Sequence, residues 1–515
     1  MTAKTRYDSL VSNRSQYLSE AEDASELTLP YLIREDGSQS GARKLKTPWQ
    51  SVGAKGVVTL ASKLMLALLP AQTSFFKLQL DESQLGTVPP EMRTELELAF
   101  AKIERTIMDA IAASDDRVVV HQARKHLVVA GNALIFMGKD GLKLFPLQRY
   151  TVERDGNGNV IEIVTKELIN KKILEDIVPD IKELKGEYIN DDKEDTEDCE
   201  VYTHVKRDNN RFVWHQEVYA HIIPKSQGKA PVDTCPWIVL RFNTVDGEDY
   251  GRGRVEEFMG ELKSLEALSQ ALVEGSAAAA KVVFTVSPSS TTKPATLAAA
   301  GNGAIVQGRP EDIGVVQVGK TADFATAYQM VQQLERRLSE AFLILTVRQS
   351  ERTTAEEVRM TQMELEQQLG GLFSLLTVDF LVPYLNRKLS IHQKKGDIPK
   401  LPKGMVNPVI VAGINALGRG QDRDALGQFL TIISQTMGPE AVAQYINPEE
   451  VIKRIAVAQG IDILNLVRSM QEIQAEQQAQ QQQEQANIEA EQRISMAKTP
   501  IMDPTKNPDL QTPPE

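Results

Sequence analysis

Apolar side chains first recur at helical spacing over residues 6–29, where Tyr7, Leu10, Val11, Tyr17 and Leu18 fall near one face. That helix must stop before Pro30, because proline disfavours helical backbone at the residue before it. Arg34 to Ala42 is polar and rich in Gly and Ser, and predicts a loop. Lys46-Thr47-Pro48-Trp49-Gln50 then leads into the most apolar stretch, Gly56 to Phe76. Val58, Leu60, Ala61, Leu64, Met65 and Leu68 predict a helix with its face in a core. Lys63, Pro70 and Gln72 interrupt the stretch too often for a membrane span. Residues 90–131 read as helical again, with Leu96, Phe100, Ile103, Ile107 and Ile111 three to four apart.

From Ala133 to Thr165 the period shortens. Leu134 to Met137, Leu142 to Leu147 and Tyr150 to Glu153 read as short strands, with a turn at Lys139-Asp140-Gly141. Asp155-Gly156-Asn157-Gly158-Asn159 predicts a hairpin turn, since Gly and Asn tolerate positive φ. Its opening imitates a calcium loop, but Val160 stands where such a loop requires glycine and Lys166 where it requires a bidentate glutamate. Residues 190–198 are an acidic loop. Alternation returns at Glu200 to Val205, Phe212 to His221 and Trp237 to Phe242. The chain up to residue 250 thus predicts a mixed α+β domain, helices first and antiparallel strands after.

Beyond Gly251-Arg252-Gly253 the helical period resumes. Val255, Phe258, Met259, Leu262, Leu265, Leu268 and Leu272 form one stripe, running into Ala277 to Ala280, whose small side chains let neighbouring helices approach. Lys281 to Val286 is strand-like and opens a compact insert ending near Lys320. Helix returns from Ala322 to about Leu343, and a polar loop, Arg348 to Arg352, follows. Thr354 and Glu357 are spaced as a capping box, opening a helix that runs through a kink at Gly370-Gly371 toward Pro383. Ala412 to Gln492 reads as helical, with turns at Gly418-Arg419-Gly420 and Gly438-Pro439 and a Gln-rich end poor in apolar anchors. Lys498 to Glu515 carries five prolines and predicts disorder.

Composition sharpens this picture. Aromatic residues are only 5% of the 515, which favours helix over sandwich or barrel. Fifty-eight basic and 70 acidic residues leave a formal charge of −12. That argues against tight electrostatic binding of nucleic acid, which needs cations to release counterions. It is compatible with a surface along which DNA slides. Cys199 and Cys235 make no metal-binding pair and suit a reduced chain. The first residues lack the apolar core of a signal peptide.

One stretch matches a nucleotide-binding pattern. Gly314 to Thr321 reads G-x-x-x-x-G-K-T, the form of a phosphate-binding loop. Its inner residues are mostly β-branched and favour extended chain, whereas a phosphate cradle must curl. Leu375 to Asp379 imitates the partner magnesium motif inside a helical pattern. The six histidines are scattered, and His121 and His126 are five apart, so they do not form an i,i+4 metal pair. The expectation is therefore no catalytic residue, no metal and no cofactor, with a P-loop NTPase built on Gly314 to Thr321, or a scaffold protein, as the alternatives.

Several blocks in one order resemble a known family: Lys46 to Ala54 with Leu60 to Leu68, Leu127 to Asn132, Gly308 to Asp312, Thr353 to Glu357 and Gly418 to Asp422. The sequence resembles the head–tail connector, or portal, proteins of T7-like short-tailed bacteriophages. The resemblance implies a portal fold with wing, stem, clip and crown, assembled as a ring of twelve copies around a channel for double-stranded DNA. On this chain it implies a wing over 1–250, stem helices over 251–280 and 321–345, and a clip over 281–320. A tunnel loop would span 346–354, a long wing helix and its return 355–405, a crown 406–492 and a disordered tail 493–515. Arg348, Gln349, Ser350, Glu351 and Arg352 would then face DNA, with Lys320 a weaker candidate. Ser287, Ser289, Lys293, Asn302 and Arg309 would dock the packaging motor and later the tail. The implied partners are other copies of the chain, DNA, the major capsid protein, scaffolding protein, the terminase motor, a tail adaptor and internal core proteins, with no membrane. The implied place is the capsid portal vertex, after assembly in the host cytoplasm. Twelve copies would carry about −144 formal charge, twelve times the −12 of one chain, which would repel phosphate.

Overall fold

The computed structural model describes residues 2–33, 45–70, 74–80, 90–138, 141–170, 173–174, 198–279, 283–289, 293–301, 304–316, 321–344, 371–372, 374–399, 406–410 and 418–438, with isolated positions at 446, 451–452 and 488. The chain divides into two compact units, 1–416 and 417–515.

The first unit begins with helix α1, Ala3–Glu26, capped by the Thr2 hydroxyl, which accepts from the Thr5 amide at 3.2 Å. Tyr7 and Leu10 are buried as the spacing predicts, and Tyr17 and Leu18 pack at the edge of a core. Arg14 is buried too, which the pattern does not foretell. Its Nη1 donates to the carbonyls of Leu147, Gln148 and Tyr150 at 3.0–3.2 Å, stapling α1 to the loop that enters the sheet. Helix α2, Val52–Leu68, is buried along Val57, Leu60, Ala61, Leu64, Met65 and Leu68. Val58 is a correction: it is 39% exposed, and Val57 takes the inward position instead.

The helical stretch 90–131 is two helices, α3 (Pro90–Ala112) and α4 (Asp116–Ala130). No Gly or Pro marks the break. Ser114 makes it, its hydroxyl donating to the Ile111 carbonyl at 3.0 Å, so that a new helix starts with buried Asp116 in its first turn.

The strands follow the predicted period. A three-stranded antiparallel sheet has order β10-β2-β3, with β2 Asn132–Met137, β3 Leu142–Phe145 and β10 Trp237–Arg241. A larger sheet runs β4-β5-β6-β7-β8, with β9 paired to β7. Its members are β4 Tyr150–Arg154, β5 Val160–Asn170, β6 Asp198–Asp208, β7 Arg211–Val218, β8 His221–Ile222 and β9 Gly228–Pro231. The predicted turn at Asp155 closes the β4–β5 hairpin, with Asp155 Oδ1 accepting from the Asn157 and Asn159 amides. Among the described residues no group of three His, Cys, Asp or Glu could hold a metal.

One pairing was not predicted. β1, Phe76–Leu80, runs antiparallel to β13, Val406–Ile410, across more than three hundred residues of chain. The main core gathers α2, α3, α4, β1, β2 and β10. A second core lies between α1 and the sheets around Tyr150, Trp237 and Tyr250.

After β10 come a short turn of helix, α5 (Arg254–Glu257), and the long α6 (Met259–Ala279). A distal module follows, with β11 Val283–Val286 antiparallel to β12 Ile313–Val316 and α7 Pro294–Ala299 between them. Helix α8, Thr321–Ala341, returns beside α6. Residues 345–370 lie outside the described residues, and with them the predicted loop, capping box and Gly370. So do most of the polar loop 34–42, the acidic run at 190–198 and the Gln-rich and proline-rich ends.

The helix expected to run toward Pro383 continues past it. A π turn, Thr377–Leu381, passes directly into α9, Val382–Lys395, which ends at Gly396 with φ 87°. Proline lacks an amide hydrogen and its ring clashes with the carbonyl four residues back. The wider π turn relieves that crowding, so the helix continues.

The second unit is described mainly through α10, Gly418–Met437. Gly418-Arg419-Gly420 is its first turn rather than a connecting turn, another correction. Gly438, with φ 88°, ends the helix where a turn was expected. Among the described residues no helix is long and apolar enough to cross a membrane.

Candidate functional site: the helical hairpin, its root and its tip

The α6–α8 hairpin changes character along its length. Near the root Leu262, Leu265, Val331, Leu338 and Phe342 are buried, and Arg337 of α8 pairs with Glu261 of α6. Farther out, Glu274 is the one charged residue between 267 and 279, and 324–333 holds none. Exposed positions there are Ala267, Gln270, Ala271, Ser276 and Ala277, together with Val273, Tyr328 and Met330, each at least half exposed. Water-facing helices ordinarily carry charge on their outer face. An outer face of small, neutral polar and apolar groups with Glu274 as its one charge is suited to contact with another protein surface.

The root is a close backbone clasp. Gly131, at φ 71°, ends α4, and a Cβ there would lie 2.5 Å from the Gly251 carbonyl oxygen. Gly253 is equally tight, 2.4 Å from the Val129 carbonyl oxygen. Asn132 completes the clasp: its Nδ2 donates to the Gly251 carbonyl at 2.7 Å, and its Oδ1 accepts from the Gly251 amide at 2.8 Å. Two separate sequence blocks, Leu127 to Asn132 and Gly251 to Gly253, are thus one structural joint where the hairpin leaves the body. Arg252 closes its rim, pairing with Glu248, Glu256 and Glu20 at 2.8, 2.7 and 3.2 Å. The Glu248 and Glu256 carboxylates, Glu248 first, hold the guanidinium proton more tightly than usual.

The Lys46 to Leu68 block grips the hairpin from the other side. The Glu266 carboxylate of α6 accepts from the Trp49 and Gln50 amides at 2.9 and 3.3 Å. Gln50 bridges inward, its Oε1 accepting from the Gly53 amide at 2.8 Å and its Nε2 donating to the Leu27 carbonyl at 2.7 Å. The start of α2 is therefore capped by Gln50, not by Ser51, which makes no side-chain cap. One turn on, Gly56 receives the ring of Phe342. At the next position seven residues along the same face, Lys63 Nζ donates to the Leu343 carbonyl at 2.7 Å.

Leu343 is where α8 turns off, close to the helix end expected at about Leu343, but its left-handed backbone was not foreseen. It sits at φ 57° although it is not glycine. The Ile344 amide donates to the Ser339 carbonyl at 2.7 Å and the Leu343 amide to that of Glu340 at 3.1 Å, the double closure of a left-handed helix end. For a leucine that conformation costs about 1–2 kcal/mol. Burial of the side chain, which is 5% exposed, offsets about 1.5–3 kcal/mol. Arg348, Gln349, Ser350, Glu351 and Arg352 follow a few residues later and lie outside the described residues.

The predicted docking residues fall in the tip module. Ser287 and Ser289 are exposed and share a hydroxyl–hydroxyl hydrogen bond of 3.1 Å. The Ser287 amide donates to the Asp312 carbonyl at 3.0 Å, tying the end of β11 to the turn before β12. Lys293 precedes α7 and Arg309 precedes a 3-10 turn at Pro310–Asp312, both exposed. Asn302 lies outside the described residues. Ile305 is fully exposed. Gly314, Val315 and Val316 of the nucleotide-binding pattern are extended in β12 against β11, not curled as a phosphate cradle. Lys320 lies outside the described residues. Leu375 to Asp379, the magnesium-motif imitation, is helix passing into the π turn.

Buried ionisable groups elsewhere serve the frame. Asp116 Oδ2 accepts from Tyr384 Oη and pairs with Lys388 Nζ, both at 2.5 Å, binding α9 to the start of α4. Arg124 is wholly buried with its guanidinium 4.6 Å over the Phe380 ring, and among the described residues none of its nitrogens has a hydrogen-bond partner. Burial pushes its pKa down to about 9. Burial likewise lowers His126 to about 4. Burial also raises Asp379, against the pull of Arg154 and Arg241. Cys199 and Cys235 are both free and buried, and burial pushes the Cys235 thiol up to about 12, so it is not a reactive thiolate.

A mixed α+β body clamped on the root of a long two-helix hairpin defines an architectural protein, one organised to hold that hairpin and its tip. The chain belongs to the bacteriophage head to tail connecting protein family, which it matches over residues 1–464. It is 38% identical over 473 residues to the portal protein of Escherichia phage T7, covering 89% of this chain and 87% of that one. It is also 38% identical over 485 residues to the portal protein of Enterobacteria phage T3, covering 92% and 89%. A chain in the neck of an empty GTA particle is 12% identical with a TM-score of 0.38, over 80% of this chain and 90% of that one. That likeness is too loose to transfer any residue.

Proposed function

We propose that this chain is a portal protein: copies of it form a ring at one capsid vertex, and double-stranded DNA enters and later leaves through the central channel. The observation that carries the reading is 38% identity to the T7 portal protein along nearly nine-tenths of both chains. In this reading α6 and α8 are the stem and 281–320 is the clip. The loop 346–354 narrows the channel, and 406–492 forms the crown. The outer half of the hairpin, with Glu274 as the one charge over 267–279 and none over 324–333, supports it, because helices packed against copies of themselves need little charge there. The ring has twelve subunits, and its acidic balance keeps phosphate from sticking. Arg348 and Arg352 touch the DNA backbone without reading bases. Ser287, Ser289, Lys293, Asn302 and Arg309 dock the packaging motor and then the tail. Contacts with capsid, scaffolding and core proteins fall on the body and crown. The role is structural, and the energy of DNA movement comes from the motor.

Imaging of the purified full chain tests the ring: a particle with a central hole is expected, and a protein that stays monomeric at every concentration overturns the reading. Arg348→Glu with Arg352→Glu is expected to leave the ring intact while lowering DNA packaging or retention at least tenfold. Unchanged packaging removes the loop from the mechanism.

A further inference from the structure

The end of α8 is the last described point before the segment read above as the channel loop, and the chain leaves it in a left-handed turn. Leu343 supplies that turn at φ 57°, a conformation leucine seldom adopts unaided. Three groups hold it. Phe342 is fully buried against Gly56. The Ile344 amide is tied back to Ser339. The Leu343 carbonyl, turned away from the helix by the reversal, is met by Lys63 Nζ at 2.7 Å. Lys63 belongs to α2, so this bond joins the body to the exit of the hairpin across 280 positions. A carbonyl that reverses direction at a helix end ordinarily finds water. Here a charged donor from a core helix takes that place, and charge-assisted bonds are the strong ones.

We propose that Lys63 is a positioning residue: by holding the Leu343 carbonyl it sets the direction in which the chain departs α8, and so where the loop that follows stands in the channel. The proposal rests on the portal reading for its consequence, but not for its geometry. It treats Lys63 as acting through Leu343, never on DNA itself. It also gives a reason for a lysine in the most apolar helix of the chain, where Leu60, Leu64 and Leu68 are all fully buried.

The test compares Lys63→Met, which keeps length and loses the donor, with Lys63→Arg, which restores a charged donor. Hydrogen exchange is followed in full-length rings at the Leu343 and Ile344 amides, and DNA retention in heads built with each variant. Lys63→Met is expected to assemble, to speed exchange at Ile344 at least tenfold, and to lose packaged DNA several-fold faster. Lys63→Arg is expected to return both toward the wild-type values. If Lys63→Met does not assemble, Lys63→Gln, a shorter donor, replaces it with an intermediate result expected. Unchanged exchange at Leu343 and Ile344 overturns the latch itself. Faster exchange with unchanged DNA retention overturns the positioning role, provided Arg348→Glu with Arg352→Glu does impair retention. If that pair also has no effect, the portal-loop reading is at fault and the latch stands by its exchange data.

Discussion

Gly56 of α2 lies directly beneath Phe342 of α8: a Cβ on the glycine would sit 2.7 Å from the ring's Cγ and 2.9 Å from its Cβ. The contact fixes how deeply the hairpin seats in the body. Phe342 is fully buried and also stacks at a tilt on Phe258, 5.8 Å between centroids, so it has nowhere to retreat. Gly56→Ala is expected to destabilise the protein by about 1–3 kcal/mol, the usual cost of overpacking. Denaturant unfolding of the full chain measures it. A neutral result would mean that the hairpin seat can yield.

Glu266 ties the entry of α2 to α6 through the Trp49 and Gln50 amides. Glu266→Ala leaves two amides without this acceptor, at an expected cost of about 1.5–3 kcal/mol for a charged hydrogen-bond acceptor. Glu266→Gln retains an acceptor and is expected to lose less than half as much. Equal losses for the two variants would assign the effect to packing rather than to the carboxylate.

Arg124 is a buried cation without a hydrogen-bond partner among the described residues, resting on the Phe380 ring. Removing such a charge in favour of an apolar side chain of similar length is frequently stabilising. Arg124→Met is expected to raise stability by about 1–4 kcal/mol, read as a shift of the urea midpoint. A loss of more than 1 kcal/mol would show that the contact with Phe380 outweighs desolvation.

His126 sets an acid limit. Burial lowers it from 6.5 to about 4, so in the folded protein it stays neutral where the unfolded chain already takes up a proton. Its contribution is fully present above about pH 6.5 and is lost as pH falls toward about 4, roughly 3 kcal/mol in all. His121, lowered first by its own burial, adds in the same sense. His126→Leu is expected to flatten the dependence of the urea midpoint on pH between 6.5 and 4.5. An unchanged slope would place the acid sensitivity elsewhere.

Much of the local structure was legible because it follows from short-range chemistry. The apolar spacing of α1, α2 and α6 marked their inner faces, and Gly and Asn at 156–159 marked the β4–β5 turn. The errors fall where side chains act on backbone in ways composition hides. Ser114 split one predicted helix by donating its hydroxyl to the Ile111 carbonyl. The π turn at Thr377–Leu381, which no residue pattern announced, carries the helix past Pro383. Val57 and Val58 are adjacent and equally apolar, so only packing could say which turned inward.

The order of elements, the change of period near Ala133 and Gly251, and the blocks shared with the connector family were determined by sequence alone, since each depends on neighbours within a few turns of chain. Tertiary structure decided which blocks meet. Leu127 to Asn132 closes on Gly251 to Gly253, the Lys46 to Leu68 block seizes Glu266, Phe342 and Leu343, and β1 finds β13. Those contacts join segments up to hundreds of residues apart, and they exist only because burial and hydrogen bonding reward one three-dimensional arrangement that no local window contains.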